Sequence, residues 1–146
     1  MILTGEPDAS FELTPIGYQF SSAGDAFDRN WVTVRAKARL AGDSWGGTDS
    51  CLLASELRSL HCWLAAQADG ATNVEAELEF LEPQLAFAAQ PESGAVKLRI
   101  VMRYELATAA GGETPSVRVL QVSVTREALR DAAASLAGEA GVYPER

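Results

Sequence analysis

Histidine occurs once in this 146-residue chain and cysteine twice, and that scarcity removes several chemistries at the outset. A general base needs a nucleophile and an orienting group beside it. His61 has only Cys62, which projects about 100° away around a helix, and Arg58, which shares its face as a solvated flank. Two cysteines eleven residues apart and a single histidine match no zinc spacing. "GDSWGG" holds glycines but neither a Walker lysine nor GxGxxG spacing, so it is no phosphate cradle. The expectation is no catalytic residue, no metal and no cofactor. Cations are also in deficit, 12 against 20 acids, for a net charge of −8. Nucleic acids and anionic membranes require clustered Lys and Arg, so the expected partner is a protein, and a basic one; solubility alone would also account for the charge. No window approaches the roughly 18 apolar residues of a membrane span. "MILTGEPDAS" lacks the basic start and apolar run of a signal peptide, which reads as a cytoplasmic protein.

What is present is ordinary globular material: 47% hydrophobic and 22% charged residues, enough for one domain over 1–146. "SFELTPIGYQF" alternates, then shifts phase at Pro15, as an edge strand with a bulge does. "SSAGDAFDRN" is a polar loop. "WVTVRAKARL" places Val32, Val34, Ala36, Ala38 and Leu40 on one face and Arg35, Lys37 and Arg39 on the other. "AGDSWGGTDS" reads as a turn leading to a helix, with Asp49 or Ser50 as N-cap. In that helix, "CLLASELRSLHCWLAAQA", a stripe of Leu53, Leu57, Leu60, Trp63 and Leu64 should lie on the sheet. Cys51 and Cys62 on one helix would stand about 16 Å apart at 1.5 Å per residue, too far for a disulfide, so both are expected as free thiols.

"NVEAELEF" alternates with Glu75, Glu77 and Glu79 outward, available for cross-strand pairs with Arg35, Lys37 and Arg39 or with Lys97 and Arg99. "AVKLRIVMRYEL" points Val96, Leu98, Ile100, Met102 and Tyr104 inward. "SVRVLQVSV" changes parity at Val119 and Leu120, another bulge signal. Thr125 caps "REALRDAAASLAGEAG", with Leu129, Ala132, Ala133 and Leu136 as its packing stripe. The element order predicts α+β: a mostly antiparallel sheet of six to eight strands packed by a central and a C-terminal helix. In "EFLEPQLAF", Pro83 and Gln84 as turn centre would set Phe80 opposite Phe87, leaving Glu82 at a strand end rather than in an acid/base pair. A looser loop fits the same residues.

"YQF", "DRNWVTVRAKARL", "DSWGGTDSCLLASELRSLHCWL" and "FLEPQLAF" together resemble the WapI-type immunity proteins across about residues 18 to 87. The carriers are an Asn-Trp opening a strand, a Cys-Leu-Leu-x-x-Glu-Leu helix start and a Phe-Leu-Glu-Pro strand end. The resemblance implies a small cytosolic bacterial protein without catalysis. Such a protein occludes the toxic C-terminal domain of a contact-delivered toxin, a nuclease in the family's named system. A basic toxin cleft suits acids on loops. Asp25 and Asp28 before Trp31, Asp43 and Asp49 meeting near the helix start, and Trp45 are therefore the candidate partner-binding residues. Trp31 and Trp45 bracket a hairpin and are placed to pack across it, and Glu56 is placed to reach back to Trp31 or Arg35. The alternatives are a structural or regulatory subunit whose sheet binds a different protein, and a small-ligand cleft near Trp45, Glu56 and Glu82.

Overall fold

The computed structural model describes residues 1–21, 25–112 and 115–146. Part of the expected loop "SSAGDAFDRN", residues 22–24, lies outside them. Two antiparallel meanders, each of four sequential neighbours, make up the β structure. The first joins β1 (Ile2–Gly5), β2 (Ala9–Tyr18), β3 (Trp31–Leu40) and β4 (Asp43–Leu53). The second joins β5 (Glu77–Glu79), β6 (Leu85–Glu92), β7 (Ala95–Arg103) and β8 (Val117–Thr125). Helix α1 (Ala54–Asp69) connects them and α2 (Arg126–Gly141) follows β8. The α+β class, the strand number and both helices agree with the sequence reading; the strands are shared between two sheets.

Strand β3 shows why period two was legible. Val32, Val34, Ala36 and Ala38 are buried while Arg35, Lys37 and Arg39 are exposed, the division a half-wet sheet imposes. The bulge in β2 falls between Pro15 and Gly17. Pro15 lies beyond Ala9–Glu12, the stretch that β1 pairs, so β2 is an edge only there, where a missing N–H is tolerated.

The start of α1 differs from the sequence reading. "DSCLL" is the end of β4, paired to β3 from Thr33 opposite Ser50 to Trp31 opposite Leu53, so neither Asp49 nor Ser50 caps a helix. Pairing with a strand already in place outweighs local cap preference. The first helical turn is instead closed by Glu56, whose Oε2 accepts the Leu53 N–H at 2.8 Å. Leu53 is consequently half-buried and outside the helical stripe, whereas Leu57, Leu60, Trp63 and Leu64 are buried. At its other end α1 stops on Gly70 at φ 70°. There the Arg126 guanidinium donates to the carbonyls of Gln67 and Ala68 at 3.0 Å each, placing a cation at a helix C-terminus. Thr125 caps α2 as expected, its Oγ1 accepting from Ala128 N–H, and Leu129, Ala132, Ala133 and Leu136 are buried.

Three strand details are corrected. Strand β5 is short, and Leu78 rather than Phe80 stands opposite Phe87. The five residues 80–84 form the connection because Leu81 N–H, Pro83 C=O and Gln84 C=O bond to Glu56 and Arg103 instead of to a hairpin ladder. Strand β8 pairs with β7 without a register shift; Val119 faces solvent at 37% exposure, so the parity change marks an exposed valine, not a bulge. Tyr104 leaves the sheet in a 3₁₀ turn at φ 53° and is exposed.

The two sheets and both helices share one buried cluster. Phe11 on β2 meets Phe87 on β6 edge to face at 5.7 Å between ring centres, and Trp63 of α1 reaches the same ring at 6.2 Å. Leu57 belongs to this cluster and is fully buried. Leu57→Ala should therefore lower unfolding stability by about 2–5 kcal/mol in a urea titration; a loss under about 1 kcal/mol would show that its contacts are misplaced.

Candidate functional site

The expected acids do not gather in one place. Asp25 and Asp28 sit at the Trp31 end of β3, where Asp25 Oδ1 accepts the Asp28 N–H at 2.7 Å and organises a short 3₁₀ turn. Asp43 stands opposite Leu40 at the other end, about 30 Å away at 3.4 Å per strand residue. Asp43 and Asp49 do not meet near the start of α1, because both lie within β4 and Asp43 is at the end remote from the helix. Trp31 and Trp45 do not pack across a hairpin either. Trp31 instead stacks edge to face on Phe27 at 5.7 Å, and Trp45 opposes Ala38.

Asp43 and Trp45 are joined by a residue that sequence reasoning missed. Arg118, at the β7–β8 end of the second sheet, donates to Asp43 Oδ2 at 2.8 Å and lies 5.3 Å from the centre of the Trp45 ring. This is a cation–π contact beside an ion pair. Trp45 itself is buried, and its indole N–H has no acceptor among the described residues. No local pattern could have linked positions 43 and 118; only the approach of the sheets does.

A second constellation surrounds the N-terminus of α1. Glu56 Oε1 accepts the Leu81 N–H at 2.7 Å while its other oxygen holds Leu53, so this carboxylate ties the 80–84 connection to the helix and does not turn toward Trp31 or Arg35. Asp49 Oδ2 accepts from Gln84 Nε2 at 2.9 Å and its Oδ1 from Ser50 N–H. Glu82 lies half-buried in the middle of the same connection, three residues from the end of β5 and three from the start of β6, and so not at the strand end that the turn reading required. Cys51 is on β4 and fully buried; Cys62 is on α1 and exposed, its Sγ 4.0 Å from His61 Nε2. The two are free thiols, although the spacing argument for that fails, since they do not share a helix. Arg58, also on α1, is exposed and pairs with Glu145 at 3.3 Å.

Burial, reinforced by the nearby carboxylates of Asp49, Glu56 and Glu82, pushes the Cys51 thiol from 9.0 up to about 12. The folded chain thus keeps a proton that the unfolded chain releases. The resulting stabilisation is whole below pH 9 and is lost as the pH rises toward 12. Cys51→Ala should lose less stability across that alkaline range than the parent, read by urea unfolding at each pH. Iodoacetamide at about pH 8 should label Cys62 in the native protein and Cys51 only after denaturation; rapid native labelling of both would contradict the burial.

A groove of about 500 Å³ runs over the outward face of the first sheet. Arg35, Lys37 and Arg39 line it from the middle of the sheet. One side carries Ile2, and the other carries Thr108–Ala110, which adds to the edge of β4 through Gly46 N–H to Thr108 C=O and Ala110 N–H to Ser44 C=O. Trp45 borders this groove, but neither Glu56 nor Glu82 lines it, so the cleft expected from those three residues is not one site. Glu77 and Glu79 oppose Ala88 and Ala86. Among the described residues no ion pair joins the Glu75, Glu77 and Glu79 row to either cationic row. Also among the described residues, no group of three or more His, Cys, Asp or Glu could hold a metal, and no helix is long and apolar enough to cross a membrane.

No curated protein and no solved structure matches the chain. The model of the immunity protein WapI-like family matches residues 1–144, taking in β1, the second sheet and α2 as well as the stretch whose motifs carry the resemblance. With its strands, both helices and the constellations around Glu56 and Trp45 all inside the matched span, the chain belongs to the WapI-like immunity protein family.

Proposed function

We propose that this protein acts in the cytoplasm as a stoichiometric neutraliser: it binds a cognate toxin domain and occludes it, with no chemistry of its own. The observation that carries this reading is the family match over residues 1–144. The charge supports a basic partner, since a net −8 protein attracts a cationic surface over several ångströms before contact. Asp25, Asp28, Asp43, Asp49 and Trp45 remain the proposed contact residues for such a surface, and their surroundings rank them. Asp25 is exposed on its turn with Asp28 half-buried beside it. Asp43 must exchange Arg118 for a toxin cation, and Asp49 already bonds Gln84 and Ser50. The Asp25–Asp28 turn is therefore the first place of encounter.

The test is co-expression with the toxin domain encoded beside the gene. A complex with equal amounts of the two chains should survive gel filtration at micromolar concentration, and expression should rescue toxin-arrested cells. Neither complex nor rescue would refute the reading. Within such a complex, Asp25→Asn with Asp28→Asn should slow association severalfold at low salt and leave dissociation nearly unchanged, because rim charges act mainly on the on-rate. Stopped-flow association at two salt concentrations reads this directly.

A further inference from the structure

The first sheet turns toward solvent a face whose sign is opposite to that of the whole molecule. Arg35, Lys37 and Arg39 are exposed along β3, spaced about 7 Å apart by the two-residue strand repeat. Their cross-strand neighbours are short: Thr48, Gly46 and Ser44 on β4, and Thr14 and Ser10 on β2, with Glu12 opposite Lys37. The cations therefore stand clear of the groove floor. Among the described residues Glu12 is the one carboxylate in the lining, and its Oε1 accepts from Thr14 Oγ1 at 3.2 Å. Among the described residues the only ion pair made by these three cations is Arg39 with Asp8 at 3.5 Å, both side chains more than half exposed, an arrangement that contributes little. Three cations gathered in a groove of a −8 chain are electrostatically unfilled.

We propose that this groove receives an extended acidic segment of the partner protein, whose carboxylates at alternate positions meet Arg35, Lys37 and Arg39. The spacing selects the occupant. An extended chain presents every second side chain on one face at the same repeat of about 7 Å, so acids at i, i+2 and i+4 fall in register with the three cations. Ile2, 61% exposed, together with Ala109 and Ala110 gives the groove apolar walls for the intervening residues. A nucleic acid fits less well. The one aromatic residue bordering the groove other than Phe11 is Trp45, and both rings are buried, leaving no face for base stacking. The partner's identity as a protein rests on the toxin-binding reading above; its acidic segment is additional to that reading.

The experiment compares three proteins against the neighbouring toxin domain: the parent, R35Q/K37Q/R39Q, and a control lacking other exposed cations, R58Q/K97Q/R99Q. All substituted side chains are exposed, so melting temperatures should agree. The groove variant should bind at least tenfold more weakly with a flatter salt dependence, and the control should stay within twofold of the parent. Treating the parent complex with a zero-length carbodiimide should join Lys37 to an Asp or Glu of the toxin, identified by mass spectrometry. If the parent binds and the groove variant binds equally well, or if Lys37 forms no cross-link to the toxin, this proposal is overturned and the immunity reading stands. If the parent itself forms no complex, both fall. Two further outcomes would overturn it by assigning the groove elsewhere: self-association of the free protein that R35Q/K37Q/R39Q abolishes, and binding of a short single-stranded RNA that the same variant loses.

Discussion

Two places where backbone meets backbone with no room for a side chain hold the first sheet against the second half of the chain. At the end of β1, Glu6 and Ser123 exchange both of their backbone hydrogen bonds, and a Cβ on the adjacent Gly5 would fall on the Ser123 carbonyl. At β4, a Cβ on Gly47 would fall on the carbonyl of Glu105 in the 3₁₀ turn after β7. One contact fastens the β1 edge and the other fastens the β4 edge, so the sheet is gripped on both sides. Phe11 and Phe87 then meet across the core, and Arg118 reaches Trp45 and Asp43. The same grip places Thr108–Ala110 along β4 and so raises one wall of the outer groove. The glycine pair in "SWGG" reads locally as turn material, but in the fold it is strand backbone that must be approached closely.

How much the sequence disclosed depended on the range of the interaction involved. β3 and α2 were readable because alternation and the Leu129–Leu136 stripe are set by burial of a face, and the Thr125 cap is a contact three residues long. The start of α1 was misread because Asp49 and Ser50 offer good caps, while the decisive fact, their pairing with Val34 and Thr33, is a long-range one. Glu56 carried the true signal: an acid three residues after Leu53 is the second half of a capping box even without Ser or Thr at the first position. The register of β5 was lost in the same way, since Arg103 and Glu56 take the backbone groups of the 80–84 connection. Division of the strands between two sheets left no local trace.

Charge shows the same separation more sharply. A net charge is a sum, and the sum concealed a sorting by face. The glutamates of β5 and the cations of β3 look complementary in sequence, yet they lie in different sheets, and β5 opposes the alanines of β6. Without an ion pair among the described residues on a three-residue edge strand, Glu77 and Glu79 discourage any further strand from adding there. Arg35 and Lys37, without an ion pair among the described residues, stand on an inner strand and cannot serve that purpose, because both edges of β3 are already occupied by β2 and β4. Their place on the face of the sheet is the one from which the recognition proposed above would act.

An immunity protein must attract its toxin quickly and reject others, and one sign of charge cannot do both. A uniformly acidic surface speeds the approach of any basic protein, so it contributes rate with little discrimination. Discrimination comes from positions that penalise the wrong partner. A basic groove in an acidic molecule is such a position: a partner that is cationic throughout meets repulsion at Arg35, Lys37 and Arg39, whereas one carrying acids at the matching two-residue spacing meets attraction. The sheet that presents the row is held at both edges by the Gly5 and Gly47 contacts, so the spacing of the backbone positions that carry its charges is set by the sheet, while the long side chains keep rotamer freedom. Rigidity of the backbone and inversion of the charge therefore act together: the first fixes where the cationic side chains are anchored, and the second favours an acidic surface against them.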